Sequence, residues 1–172
     1  MLRSCRLRIA RFLVALGCVQ CAAAAHAASV NVTVNATALK PLEIVKLQDL
    51  DLGTITLGPG TWSNATVSLS QLGVFVCLPL NITCSGATSV ARYNVQGSNK
   101  GLVRISTPNV TLVNQNDPTN QLTLVVDAPA AVLLPNSGQP GVNFSIGGSI
   151  TVNSTTAGGV YVGTFNLTAD YQ

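Results

Sequence analysis

Apolar and polar residues alternate with a period of two along most of this chain. From Ser29 to Ala38, Val30, Val32, Val34, Ala36 and Ala38 fall on one side, and Asn31, Thr33, Asn35 and Thr37 on the other. Successive side chains of a β-strand point to opposite faces, so this spacing predicts a strand with one buried face. Further strands are expected at Leu42–Leu47, Leu52–Leu57, Ala65–Ser70, Val74–Leu78, Ala91–Gln96, Leu102–Ser106, Val110–Val113, Leu122–Asp127, Val142–Val152 and Gly159–Tyr171. In the last of these, Tyr161, Phe165, Leu167, Ala169 and Tyr171 share a face with Gly163 between them. Val160, Val162, Thr164, Asn166, Thr168 and Asp170 take the other face.

Turn-forming clusters separate the runs: Gly58-Pro59-Gly60, Asn116-Asp117-Pro118, Pro135-Asn136-Ser137-Gly138 and Ala157-Gly158-Gly159. Val, Thr, Leu, Ile, Asn, Ser and Gly dominate, while the straight-chain helix formers Glu, Lys, Arg and Met are scarce. Short strands with regular Gly, Pro and Asn punctuation predict an all-β fold, an antiparallel Ig-like β-sandwich, with a closed barrel as the alternative.

The charge changes the picture through its position. The net charge of +3 suggests a basic protein, but Arg3, Arg6, Arg8 and Arg11 all lie in the first eleven residues. They precede an apolar run, Phe12 to Val19, and a small-residue site at Ala25-His26-Ala27. A basic start, a short apolar stretch and a small-x-small site describe a secretory signal peptide, so residues 1–27 are expected to be removed. Residues 28–172 then form a single domain bound for the periplasm, the cell surface or the exterior. No apolar run in it is long enough for a transmembrane helix. The five Lys and Arg that remain face six Asp and Glu, too few cations to track a phosphate backbone, so no nucleic-acid partner is expected.

Removing the leader also removes Cys5, Cys18, Cys21 and His26, the only histidine. In an oxidising compartment the remaining Cys77 and Cys84 are expected to form a disulfide. Without histidine there is no Ser-His or Cys-His pair, and no phosphate loop or dinucleotide fingerprint appears. Neither an enzyme nor a bound cofactor or metal is expected. Asp49 and Asp51 share a strand face and read as a solvated edge, with Leu50 and Leu52 turned inward. Trp62, the only tryptophan, either caps the end of the core or presents a ring to a sugar or protein ligand. The second choice leads to a monomeric, adhesin-like binding module that works through its loops. Asn-x-Ser/Thr triplets are frequent, as expected of a chain this rich in Asn and Thr.

The chain ends on its long alternating strand, with a tyrosine next to last and Gly159 fourteenth from the end. In this it resembles the subunits of chaperone–usher pili, which end on a similar strand with a penultimate aromatic. A wider resemblance is to the bacterial secreted, pilin-like family of domain of unknown function 4402. Leu50-Asp51-Leu52-Gly53-Thr54-Ile55, Thr83-Cys84-Ser85-Gly86, Ala91-Arg92-Tyr93-Asn94-Val95-Gln96-Gly97 and Phe144 to Val152 carry it in order. The short Cys77–Cys84 spacing departs from typical pilins, which bridge strands further apart.

The resemblance implies a structural subunit of a fimbria-like fibre, with other copies or related subunits, a periplasmic chaperone and an usher as partners. Assembly would proceed by β-strand addition, for which donor-strand complementation in pilins is a known case. Val30, Val32, Val34 and Ala36 would be the donor contacts. Gly159, Phe165, Leu167 and Tyr171 of the last strand would take part as groove or chaperone-facing positions. The same alternation also suits a first strand paired within its own domain, since donor and resident strands bury the same face.

Overall fold

Among the described residues the alternating runs form thirteen β-strands, and every pairing between them is antiparallel. The computed structural model describes residues 30–78 and 81–172; the expected leader, residues 1–27, lies outside the described residues. The strands are β1 (Glu43–Gln48), β2 (Thr54–Leu57), β3 (Ala65–Leu69), β4 (Phe75–Cys77), β5 (Ile82–Ser85), β6 (Ala91–Gln96), β7 (Leu102–Ser106), β8 (Val110–Asn114), β9 (Gln121–Asp127), β10 (Ala131–Leu133), β11 (Val142–Val152), β12 (Tyr161–Val162) and β13 (Thr168–Tyr171). No helix occurs among the described residues.

Eight strands form one sheet in the order β1-β6-β11-β9-β8-β12, with β3 paired to β11 and β4 to β3. This sheet curls into a half-barrel. Strands β10-β7-β13 form a second sheet and β2-β5 a third. The eleven-residue β11 organises the large sheet. Its first half, Val142–Ile146, pairs with β6, and its second half pairs with β3 and β9. Gly147 and Gly148 lie where the partners change. A side chain on Gly147 would run into the carbonyl oxygen of Leu69, and one on Gly148 would come within 2.8 Å of Leu124. Glycine inside a strand marks close approach of another backbone, and here it lets neighbouring strands come close to β11 where its partners change.

The core has two clusters. Val95, Val103, Leu134, Phe144 and Ile146 are buried in the first; Val67, Ile82, Val110, Leu124, Ile150 and Val152 in the second. Each fully buried side chain of this size contributes about 1.5–3 kcal/mol relative to exposure. Tyr93 stacks on Phe144 at 5.7 Å and meets Phe165 at 6.4 Å. Cys77 and Cys84 are joined, as expected, and the bridge ties β4 to β5 across two sheets. Closing so short a loop is worth about 2–3 kcal/mol in the chain-entropy account.

Two strand expectations are corrected. The run Gly159–Tyr171 is not one strand: β12 pairs with β8, β13 pairs with β7 in a different sheet, and residues 163–167 lie outside any strand. The alternation nevertheless persists in burial. Tyr161, Phe165, Leu167, Ala169 and Tyr171 are half-buried and the residues between them exposed. Phe165 sits at the crossover and packs against both clusters. The first expected strand also fails to form, because residues 30–38 adopt no regular structure.

The chain divides after Ala36, with residues 37–172 forming one compact unit. In the preceding residues that are described, Val30, Val32 and Val34 are 82%, 79% and 84% exposed, and Ala36 is exposed as well.

Candidate functional site

The inner face of the curled sheet is not fully covered. Leu112 of β8, Leu122 and Leu124 of β9, and Ile150 and Val152 of β11 form the floor of an open groove of about 1280 Å³. Leu50, Leu52, Ile55 and Leu57 form one wall, and the segment from Thr156 to Phe165 forms the other. Alternation explains the lining: Ile55 and Leu57 turn inward from β2, and Leu122 and Leu124 inward from β9, while the threonines between them face out.

Both walls carry a strand with a free edge. Among the described residues β2 pairs only with β5, and β12 only with β8. Each therefore offers backbone N–H and C=O groups that no resident strand satisfies, beside exposed apolar surface. The chemistry of the groove is apolar contact combined with backbone hydrogen bonding.

The wall formed by β12 is positioned by Asn114, the one buried polar side chain among the described residues. Its Nδ2 donates to the Gly158 carbonyl at 3.1 Å, and its Oδ1 accepts from the Asn116 backbone N–H at 2.9 Å. Gln115 N–H donates to the Val160 carbonyl at 2.8 Å, and the Tyr161 hydroxyl to the Ala157 carbonyl at 2.7 Å. Gly159 has a positive φ of 149°, and a side chain there would collide with the Asn114 amide. Glycine at this position is thus explained by local packing.

Charges occupy only one end of the groove. Lys46 donates to Asp49 at 2.8 Å on the surface, which raises the lysine pKa through that hydrogen bond and the attraction behind it. Asp51 accepts from the Gly53 N–H at 2.8 Å and bridges to Ser89, so both acids serve the turn after β1, with Leu50 and Leu52 half-buried. Burial pushes the phenol of neighbouring Tyr93 above its ordinary value. No group of three or more His, Cys, Asp or Glu that could hold a metal occurs among the described residues.

The model of a family described as a domain of unknown function (DUF4402) matches residues 42–171. The chain belongs to this family. No curated protein matches the chain, and no solved structure does. The DUF4402 match takes in the whole groove and Tyr171, and it begins after the valines of residues 30–34.

The residues singled out in the sequence are dispersed. Phe165 lines the groove and Gly159 lies on its lip. Leu167 and Tyr171 pack against the first core cluster instead. The Tyr171 hydroxyl accepts from the Ser98 N–H at 2.6 Å and donates to the Lys40 carbonyl at 2.8 Å, so its polar end is used within the compact unit of residues 37–172. Trp62 is half-buried against the second cluster, and its indole N–H donates to the Gly58 carbonyl at 3.2 Å. That arrangement suits a cap on the core.

Sequence reasoning did not find the groove floor or Asn114. Alternation marks the floor leucines as inward-facing, but an inward side chain looks the same in a sequence whether or not another strand covers it.

Proposed function

We propose that this protein is an exported structural subunit of a fimbria-like surface fibre, without catalysis, whose fold is a pilin-like, Ig-like sandwich open along one side. One observation carries the reading: an apolar groove bordered by two strands with free edges, in a chain whose residues 30–36 alternate apolar and polar and lie outside any strand. An exposed groove with unpaired edges is an aggregation hazard unless something fills it. An extended segment adds a strand with its backbone and seats alternate side chains on the floor. Val30, Val32, Val34 and Ala36 have the required form, small or β-branched at every second position.

The donor in this reading is another copy of the chain or a related subunit. Each subunit brings one groove and one segment, so the contact is head-to-tail and propagates as a fibre. A periplasmic chaperone would cover the groove before assembly and an usher would order the exchange. With residues 1–27 read as a secretory leader, the protein would act in the periplasm, on the cell surface or outside the cell.

The test is deletion of Ser29–Ala38. The shortened protein should still unfold cooperatively, and the ladders of intact protein that resist mild denaturant should disappear. Loss of folding on deletion would overturn the proposal, because the segment would then be a strand of its own domain.

A further inference from the structure

The groove wall that carries β2 is attached differently from the floor. The β1–β6 pairing runs on through the backbone bridge between Asp51 and Ser89 into β2–β5, and the Gly58 N–H donates to the Asn81 carbonyl at its far end. Two glycines stand at the base of this second part. Taking the Thr54–Ser85 pair back by one residue sets Gly53 opposite Gly86, with φ of 75° and 84°. A side chain on Gly53 would also strike the Ser85 carbonyl. Glycine accepts this backbone conformation without the cost other residues meet. Both strands turn at one level, and β2–β5 leaves the large sheet as a separate two-stranded panel.

Across the seam lies β4. Among the described residues β4 pairs only with β3, and β5 only with β2, so no backbone ladder closes this seam. Two other attachments hold the panel. Ile82 is buried in the second core cluster, and Ile55, Leu57 and Cys84 pack against it. The second attachment is the Cys77–Cys84 bond, which keeps the two Cα atoms 6.3 Å apart. Apolar packing is non-directional and leaves the panel's position loose. The bond fixes it, where a free chain of this separation could span about 23 Å.

We infer that the Cys77–Cys84 bond is a redox latch on the groove: it holds the β2–β5 panel in place as a wall, and its reduction lets the panel swing about Gly53 and Gly86. Both cysteines are half-buried, so a small dithiol can reach the bond. Two electrons and two protons pass from the dithiol. The S–S bond breaks, Cys77 and Cys84 become thiols, and the dithiol becomes a disulfide. The free edge of β2 then has no fixed place opposite β12, and an added strand meets no settled wall. A reducing compartment keeps the thiols apart, so the groove is completed only on oxidation. This consequence for strand addition rests on the function proposed above; the latch itself does not.

Amide hydrogen exchange of the purified full chain, oxidised and then in excess dithiothreitol, tests the latch. Amides of the β6–β11 ladder report the effect of reduction on the whole domain. Those of the β2–β5 ladder should accelerate by roughly tenfold more than these, as local opening requires. Cys77→Ala combined with Cys84→Ala should reproduce the difference without reductant. Acceleration no greater in β2–β5 than in β6–β11 overturns the inference. So does unfolding of the whole domain in both the reduced and the doubly substituted protein. Oligomers that resist mild denaturant should grow from oxidised protein and not from reduced protein, and equal growth from both also overturns it. Local acceleration with no such oligomers from either form upholds the latch and counts against strand addition alone.

Discussion

Tyr171, next to last in the chain, donates its hydroxyl hydrogen to the backbone carbonyl of Lys40, 131 residues earlier and 2.8 Å away. The same oxygen accepts from the Ser98 N–H. Gly97 leaves room for the phenol, because a side chain there would collide with the hydroxyl. One side chain thus joins the last strand to the segment before β1 and to the β6–β7 turn.

Tyr171→Phe removes both hydrogen bonds while keeping the ring. At about 0.5–1.5 kcal/mol net for each bond, the variant should lose about 1–3 kcal/mol. Urea unfolding measures the loss, with the midpoint falling at unchanged slope. An unaltered midpoint would mean that solvent serves the two backbone groups equally well.

Gly147 and Gly158 should respond in opposite ways to alanine. The new methyl at Gly147 meets the Leu69 carbonyl and the backbone of Ser70 and Gln71, which cannot yield as a flexible side chain would. Overpacking of this kind costs about 1–3 kcal/mol or more. Gly158 has open space around it, and Gly158→Ala should stay within about 0.5 kcal/mol of the parent. Paired thermal melts would show the contrast, and equal melting temperatures would dismiss the close approach at Gly147 as a constraint.

Tyr93 should ionise late. Burial raises its phenol pKa, and nearby Asp49 adds to this while Lys46 opposes it. The folded pKa lies above the unfolded value of about 10, so the unfolded chain releases this proton first as the pH rises. Stability associated with the neutral phenol is therefore complete below about pH 10 and is lost as the pH rises through the folded pKa. In a spectrophotometric titration at alkaline pH, Tyr93→Phe should remove a phenolate fraction that lags behind free tyrosine. If the variant removes a fraction that titrates like free tyrosine, the ring is more solvated than its stacking on Phe144 implies.

Strands with clear alternation and firm punctuation were legible as sequence. Ala91–Gln96, Leu102–Ser106 and Val142–Val152 are strands over the residues that the pattern predicts. Two of the short strands, β5 and β10, were not. β5 spans only Ile82–Ser85, directly after a mixed apolar run, and β10 only Ala131–Leu133, between Pro129 and Pro135. Unlike β2 and β4, which lie inside longer alternating runs, these segments carry too little periodicity to stand out, and pairing across the fold forms them. The disulfide was legible because residues 28–172 contain only two cysteines.

Within the strands that form, the sequence by itself determined which residues face inward, since a period of two follows from strand geometry whatever the partner. It also determined that no charged residue lies between residues 52 and 91. Only the tertiary structure decided the partners. It divided Gly159–Tyr171 between two sheets, sent Leu167 and Tyr171 to one core cluster and Tyr161 to the groove, and left β2 and β12 with free edges among the described residues. The physical reason is that side-chain alternation records the face a residue occupies, while the edge hydrogen bonds that join strands come from backbone groups common to almost every residue.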